Sequence, residues 1–193
     1  MPPALPFDPR DADDVLGAPD PFTALLRDVA NLRVDDAAAA RARARWLVRQ
    51  AEEEGTLAGV LVDLAERGER AAVTTATGRR HTGIVRALGA DFVALRDRGR
   101  VVLVALGAVT AVRTPPGAPA VSGDRAVRVQ RRLLDVLSGL ASDRLDVVVG
   151  TLGDEVRGRL RAVGRDVVTV RVEGTEPTLV YVPGAAITDV RIS

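Results

Sequence analysis

The stretch Val73–Arg113, VTTATGRRHTGIVRALGADFVALRDRGRVVLVALGAVTAVR, decides the fold, because its pattern returns at Val148–Arg191 as VVGTLGDEVRGRLRAVGRDVVTVRVEGTEPTLVYVPGAAITDVR. Gly78, Gly83, Gly89, Asp91, Val93 and Leu95 recur as Gly153, Gly158, Gly164, Asp166, Val168 and Val170, at a constant offset of 75. After an insertion of three residues the match resumes at 78, where Val104, Val109, Val112 and Arg113 become Val182, Ile187, Val190 and Arg191. In a chain of 193 residues such a repeat predicts two small units rather than one large domain.

The repeat extends upstream. Leu57–Ala65 and Leu133–Ala141 both carry Leu, Val, Leu and Leu at relative positions 1, 4, 5 and 8, one apolar face of a helix. Each unit therefore reads as a helix followed by a sheet of short strands. The expected strands are Arg70–Ala76, Arg80–Leu88, Phe92–Arg96, Val101–Ala105 and Val109–Arg113 in the first unit. In the second they are Leu145–Thr151, Glu155–Val163, Val167–Val172, Leu179–Val182 and Ile187–Ile192. Gly78 and Gly153 suit the first turn, and Gly89 and Gly164 the next, where a positive φ costs glycine little. Gly83 and Gly158 fall in mid-strand, where glycine permits the bend that closes a small barrel. The predicted fold class is α+β, mainly β: two helix-plus-five-stranded small barrels in tandem, Sm-like or SH3-like, behind an N-terminal helical extension.

Around these units the composition shifts. Residues 1–19 are acidic and proline-rich and read as a disordered tail. Residues 20–55 form the helical extension. Asp20 and Pro21 start one helix, with Phe22, Leu25, Leu26, Val29 and Leu32 on an apolar stripe expected to dock within the chain. A second helix runs from Asp35 and Asp36 to about Glu54, before Gly55; its Arg41, Arg45 and Arg49 form a solvated face, and Trp46 is expected to be a buried packing anchor. The first barrel spans 56–113, a Pro/Gly-rich linker 114–125, and the second barrel 126–193.

A helix followed by five short strands, with glycine bending the second, resembles the Sm-like family (Sm, LSm and bacterial Hfq). Gly83-Ile84-Val85 through Asp91-Phe92-Val93, and Gly158-Arg159-Leu160 through Asp166-Val167-Val168, carry the resemblance across both units. Val104–Val109 and Val182–Ile187 sit where that family turns between its last two strands. The resemblance implies strand-edge pairing between barrels. It does not bring the family's base pocket with it: Arg96-Asp97 and Arg171-Val172 stand where that family has Asp-x-Asn, and Leu106-Gly107 and Pro183-Gly184 where it has Arg-Gly.

Composition narrows the function. Net charge is +1, so the whole chain is no electrostatic nucleic-acid binder. Its 27 basic residues are all arginine, the codon usage of a GC-rich genome. With no cysteine there is no disulfide, thiolate metal site or cysteine nucleophile. Residues 1–19 lack a signal-peptide pattern, and no apolar run reaches the roughly 20 residues of a membrane span, so a cytoplasmic protein with no membrane partner is expected.

No catalytic constellation emerges. His81 is the only histidine, occupies the place of Val156 on the inward face, and reads as a packed or edge residue. Neither a metal nor a cofactor is implied. The candidate nucleic-acid-binding residues are Arg96, Arg98 and Arg100 around Gly99, with Arg79 and Arg80. The equivalent loop of the second unit, Glu173-Gly174-Thr175-Glu176, is acidic. Three readings of that contrast stand: a first unit that binds nucleic acid, head-to-tail attraction between neighbouring barrels, or an ordinary exposed hairpin. The expected function is a non-enzymatic, self-associating interaction or scaffold module, partnered by itself or another protein. The alternative is an RNA- or DNA-binding protein using the arginine loop.

Overall fold

The computed structural model describes residues 36, 39–121, 123 and 130–192. The expected tail, the helix at 20–32 and parts of the linker lie outside the described residues. The chain divides into two units, 1–49 and 50–193.

Helix α1 is described over 39–53. Trp46 is 54% exposed, with Leu47 and Val48 beside it equally open, so the expected burial of Trp46 does not occur. Three consecutive apolar residues spread around a helix, about 100° apart, and no single packed face can cover them.

Residues 50–193 carry α2 (Leu57–Arg67), then β1 (Arg70–Thr75), β2 (Arg80–Leu88), β3 (Phe92–Asp97), β4 (Arg100–Ala105) and β5 (Val109–Arg113). The second half follows with α3 (Leu133–Ala141), β6 (Asp146–Thr151), β7 (Glu155–Val163), β8 (Val167–Val172), β9 (Thr178–Pro183) and β10 (Ile187–Ile192). All ten expected strands are present, shifted by no more than a residue at either end. Thr56 Oγ1 accepts the Gly59 N–H at 2.9 Å to start α2, and Gly68, at φ 62°, ends it in the left-handed conformation that glycine tolerates.

The ten strands form one antiparallel sheet in the order β5-β1-β2-β3-β4-β10-β6-β7-β8-β9. Both halves share one internal order, in which the fifth strand returns beside the first. The halves do not stand apart as separately closed sheets. They join where β4 pairs with β10, Val104 opposite Asp189 and Val101 opposite Ile192. The fold is α+β and mostly sheet. Among the described residues no helix is long and apolar enough to cross a membrane.

Register refines the repeat. Val73 pairs with His81 and Val149 with Val156, so Val73 corresponds to Val149 and the first strands are offset by 76. The turn after β6 is one residue shorter than that after β1, since Thr75 N–H bonds Arg79 O and Thr151 N–H bonds Asp154 O. The mid-strand glycines are explained by close approach: a Cβ on Gly83 would lie 2.9 Å from the Arg96 carbonyl oxygen, and one on Gly158 2.2 Å from that of Arg171. The bends lie two residues further on, at register shifts between Val85 and Ala87 and between Leu160 and Ala162. Of the turn glycines, Gly78 has the expected positive φ, whereas Gly89, Gly153 and Gly164 do not; Gly89 makes room for the Phe92 ring, which a Cβ there would strike.

Alternation along the strands divides the core in two. Leu61, Leu64, Val73, Val85, Leu95 and Val104 form the first cluster. The second contains Leu137, Val149, Leu160, Val170, Val182 and Val190, and also Phe92 and Leu103 from the first half. β4 therefore works on both faces: Val102 and Val104 serve its own half, while Val101, Leu103 and Ala105 serve the neighbour.

Candidate interaction edges and the junction between the halves

At the junction, β10 lays Asp189 against the inner face of the first half. Asp189 is wholly buried, an ionisable group in the middle of a sheet. His81 Nε2 lies 2.9 Å from Asp189 Oδ1, and Arg79 Nη1 lies 3.3 Å from Asp189 Oδ2. Arg79 also reaches Glu155 at 3.2 Å, and Glu155 is paired with Arg191. Burial pushes the Asp189 carboxyl up, but His81, Arg191 and Arg79 together hold it below the usual aspartate value. Gly150 makes this possible: a Cβ there would lie 2.1 Å from Asp189 Oδ2 and 2.2 Å from Arg79 Nη1. A last cross-half contact caps a helix, the Leu133 N–H donating to Asp91 Oδ1 at 2.7 Å at the start of α3.

Among the described residues β5 and β9 are the two edge strands of the sheet, paired on one side only, β5 with β1 and β9 with β8. An open edge presents a row of backbone donors and acceptors and is a template for further pairing. On β9, Val182 is buried in its own half, while the opposite face exposes Leu179 and Tyr181, the latter at 65%. Tyr181 occupies the repeat position of Leu103, which is 3% exposed because β10 covers it. On β5, Val109, Ala111 and Val112 are each half-buried, whereas their counterparts Ile187, Asp189 and Val190 are buried.

The five arginines singled out in the sequence are scattered. Arg79 is engaged with Glu155 and Asp189. Arg98 and Gly99, at φ 48° and 89°, form the two-residue turn between β3 and β4, a turn that needs positive φ at both central positions. Arg96 lies opposite Val101, and Arg100 opposite Asp97, so Arg96 and Arg100 project from opposite faces of the hairpin. Arg80 and Arg100 border a cleft of about 620 Å³ between the halves, with Asp97, Asp146, Arg157 and Arg191. Neither Arg80 nor Arg100 has a carboxylate partner among the described residues. Of the basic loop, Asp97 and Arg100 line the cleft.

Sequence reasoning missed Asp189, Gly150 and Asp91 as junction residues. A signal for Asp189 was present, because a carboxylate replaces the Ala111 of the first repeat between the apolar positions Ile187 and Val190. Among the described residues no group of three or more His, Asp or Glu could hold a metal ion. Compared with protein-family models and with curated proteins, the chain matches none.

Proposed function

We propose that the chain is a tandem of two Sm-like small barrels acting as a non-enzymatic, cytoplasmic, self-associating module, with β5 and β9 as its docking edges. The observation that carries this reading is the contrast between Leu103 and Tyr181. One repeat position is sealed where a strand pairs beside it, and left open where none of the described strands does. Covering a side chain of that size is worth about 1.5–3 kcal/mol, and a sheet extension adds backbone hydrogen bonds.

Sedimentation velocity over a wide concentration range tests the reading. Association is expected in the wild type and is expected to weaken in the double variant Leu179→Glu, Tyr181→Glu, whose altered side chains are exposed and do not serve the core. A wild type that stays strictly monomeric at the highest concentration overturns self-association.

A second reading draws on Arg80 and Arg100, which border the cleft and have no carboxylate partner among the described residues, and on the exposed Arg98 in the adjoining turn: binding of RNA or DNA through phosphates. It requires binding to mixed single-stranded RNA at low salt that is lost when Arg96, Arg98 and Arg100 become Ala. The division of Arg96 and Arg100 between two faces, and the engagement of Arg79, weigh against a single phosphate-binding patch.

A further inference from the structure

We infer that the cleft between the halves is a binding site for a small organic phosphate, an apolar body carrying one dianionic phosphate monoester. The site is independent of the self-association reading, since none of the residues lining the cleft belongs to β5 or β9.

The cleft has the size and lining of a ligand site. Its volume is about 620 Å³, inside the range of roughly 300–1,000 Å³ that encloses small molecules. Val102, Val147, Val148 and Ile192 give it apolar wall, from β4, β6 and β10. Arg80, Arg100, Arg157 and Arg191 give it charge, from β2, β4, β7 and β10. An apolar wall beside a few charged groups suits a molecule with one apolar and one anionic end.

The carboxylates of the cleft are engaged by cations that do not line it. Asp97 turns from its cross-strand neighbour Arg100 to Arg70, at 2.8 Å, and Asp146 lies 3.8 Å from Arg159. His81 is held by Asp189, and Arg191 by Glu155. Arg80 and Arg100 are left without a carboxylate among the described residues, and Arg157, 77% exposed, reaches Glu155 only at 4.0 Å. The repeat does not account for this surplus. By strand register the counterparts of Arg80, Arg100 and Arg157 are Glu155, Thr178 and Thr82, so the arginines belong to the junction and not to the repeated unit. Like charges gathered on one cleft repel one another, and a bound anion relieves the repulsion. More than one surplus cation calls for a dianion, and cations from three strands call for acceptor oxygens pointing in different directions. A phosphate monoester meets both demands, with a charge of about −1.5 to −2 and three terminal oxygens at neutral pH. A carboxylate has one charge and two oxygens in one plane, and the diesters of a nucleic-acid strand have one charge each.

Phenyl phosphate is the probe, titrated into the full chain in phosphate-free buffer at low salt and followed by amide chemical shifts. Shifts are expected at Arg80, Arg100, Val102 and Arg157. Binding is expected to be about 10-fold tighter than that of inorganic phosphate, which lacks the apolar body. It is expected to be about 10-fold tighter than that of methyl phenyl phosphate, a diester with a single charge. Arg80→Ala and Arg100→Ala should each weaken binding about 10- to 100-fold. Arg161→Ala removes an exposed arginine outside the cleft and should leave binding unchanged, which separates recognition from net charge. All three altered side chains are exposed, and circular dichroism checks that the fold persists. No shift at these amides up to millimolar phenyl phosphate, or an equal loss in Arg161→Ala, overturns the site. Equal affinity for inorganic phosphate overturns the organic ligand. Equal or tighter binding of the diester overturns the dianion and favours a nucleic-acid strand. None of these results bears on self-association, which sedimentation reads separately.

Discussion

His81 and Asp189, contributed by different halves of the sheet, meet 2.9 Å apart at a point where the first-repeat counterpart of Asp189 is alanine. A buried carboxylate gains little over a well-packed apolar pair, yet removing one member strands the other. Asp189→Ala is expected to cost about 3–5 kcal/mol in urea unfolding, since it leaves His81 and Arg79 without their buried partner. Adding His81→Val recreates the Val156 and Ala111 combination of the other repeat positions. The double variant should therefore be more stable than the two single losses summed, with a coupling of about 1–3 kcal/mol. Strict additivity would show that the two side chains do not interact.

The same carboxylate gives the junction an acid limit. Asp189 is held below its ordinary value of 3.8 in the fold, so the unfolded chain takes up the proton first as pH falls. Its contribution is complete above that value and is lost as the pH drops through the lower folded value. Between pH 5 and 2, wild-type stability should fall more steeply than that of Asp189→Asn, which has no proton to take up at this position. Parallel stability curves for the two proteins would remove Asp189 from the acid response.

Glycine positions separate space from conformation. Gly158→Ala places a Cβ 2.2 Å from a backbone oxygen, which cannot swing aside, and the expected cost is about 1–3 kcal/mol. Gly150→Ala meets Asp189 and Arg79, and should lower stability and flatten the acid response together, because it displaces the ionic pair. Gly107→Ala meets nothing within 4 Å and should leave the melting temperature within a degree or two. Thermal denaturation of the three variants side by side checks the order.

The strands were legible because the repeat supplies each one twice, and the alternation of Val93, Leu95, Val168 and Val170 leaves little freedom in phase. The two helices over the sheet were legible from their shared Leu, Val, Leu, Leu face. What the alternation could not say is which strand lies beside β4, since Val101 and Leu103 fit any covered edge equally well. The fold places β10 there, and with it a core on both faces of β4. The placement of the arginines was hidden for a related reason: Arg79 and Arg80 are adjacent in sequence, yet at the start of β2 they reach different surroundings, one Glu155 and Asp189, the other the cleft. Trp46 misled because a lone large aromatic implies burial only when neighbouring apolar residues share its face.

Asp91 links helix α3 to the half that precedes it. α3 has only nine residues, and its N-cap position is Arg132, whose side chain has no acceptor for the exposed N–H groups of the first turn. Asp135 accepts one of them, the Arg132 N–H at 3.1 Å, and Asp91 supplies the other acceptor from outside the helix. Asp91→Ala should therefore cost about 1 kcal/mol, and Asp91→Asn, which retains an acceptor oxygen, a good deal less. Hydrogen exchange localises the effect: the first amides of α3 should lose protection while those of α2, capped by its own Thr56, should not. Asp166 is the control, because its carboxylate has no partner among the described residues. Asp166→Ala should therefore leave both stability and the amide protection of α3 unchanged. A measurable cost for Asp166→Ala would show that its carboxylate has a partner inside the chain.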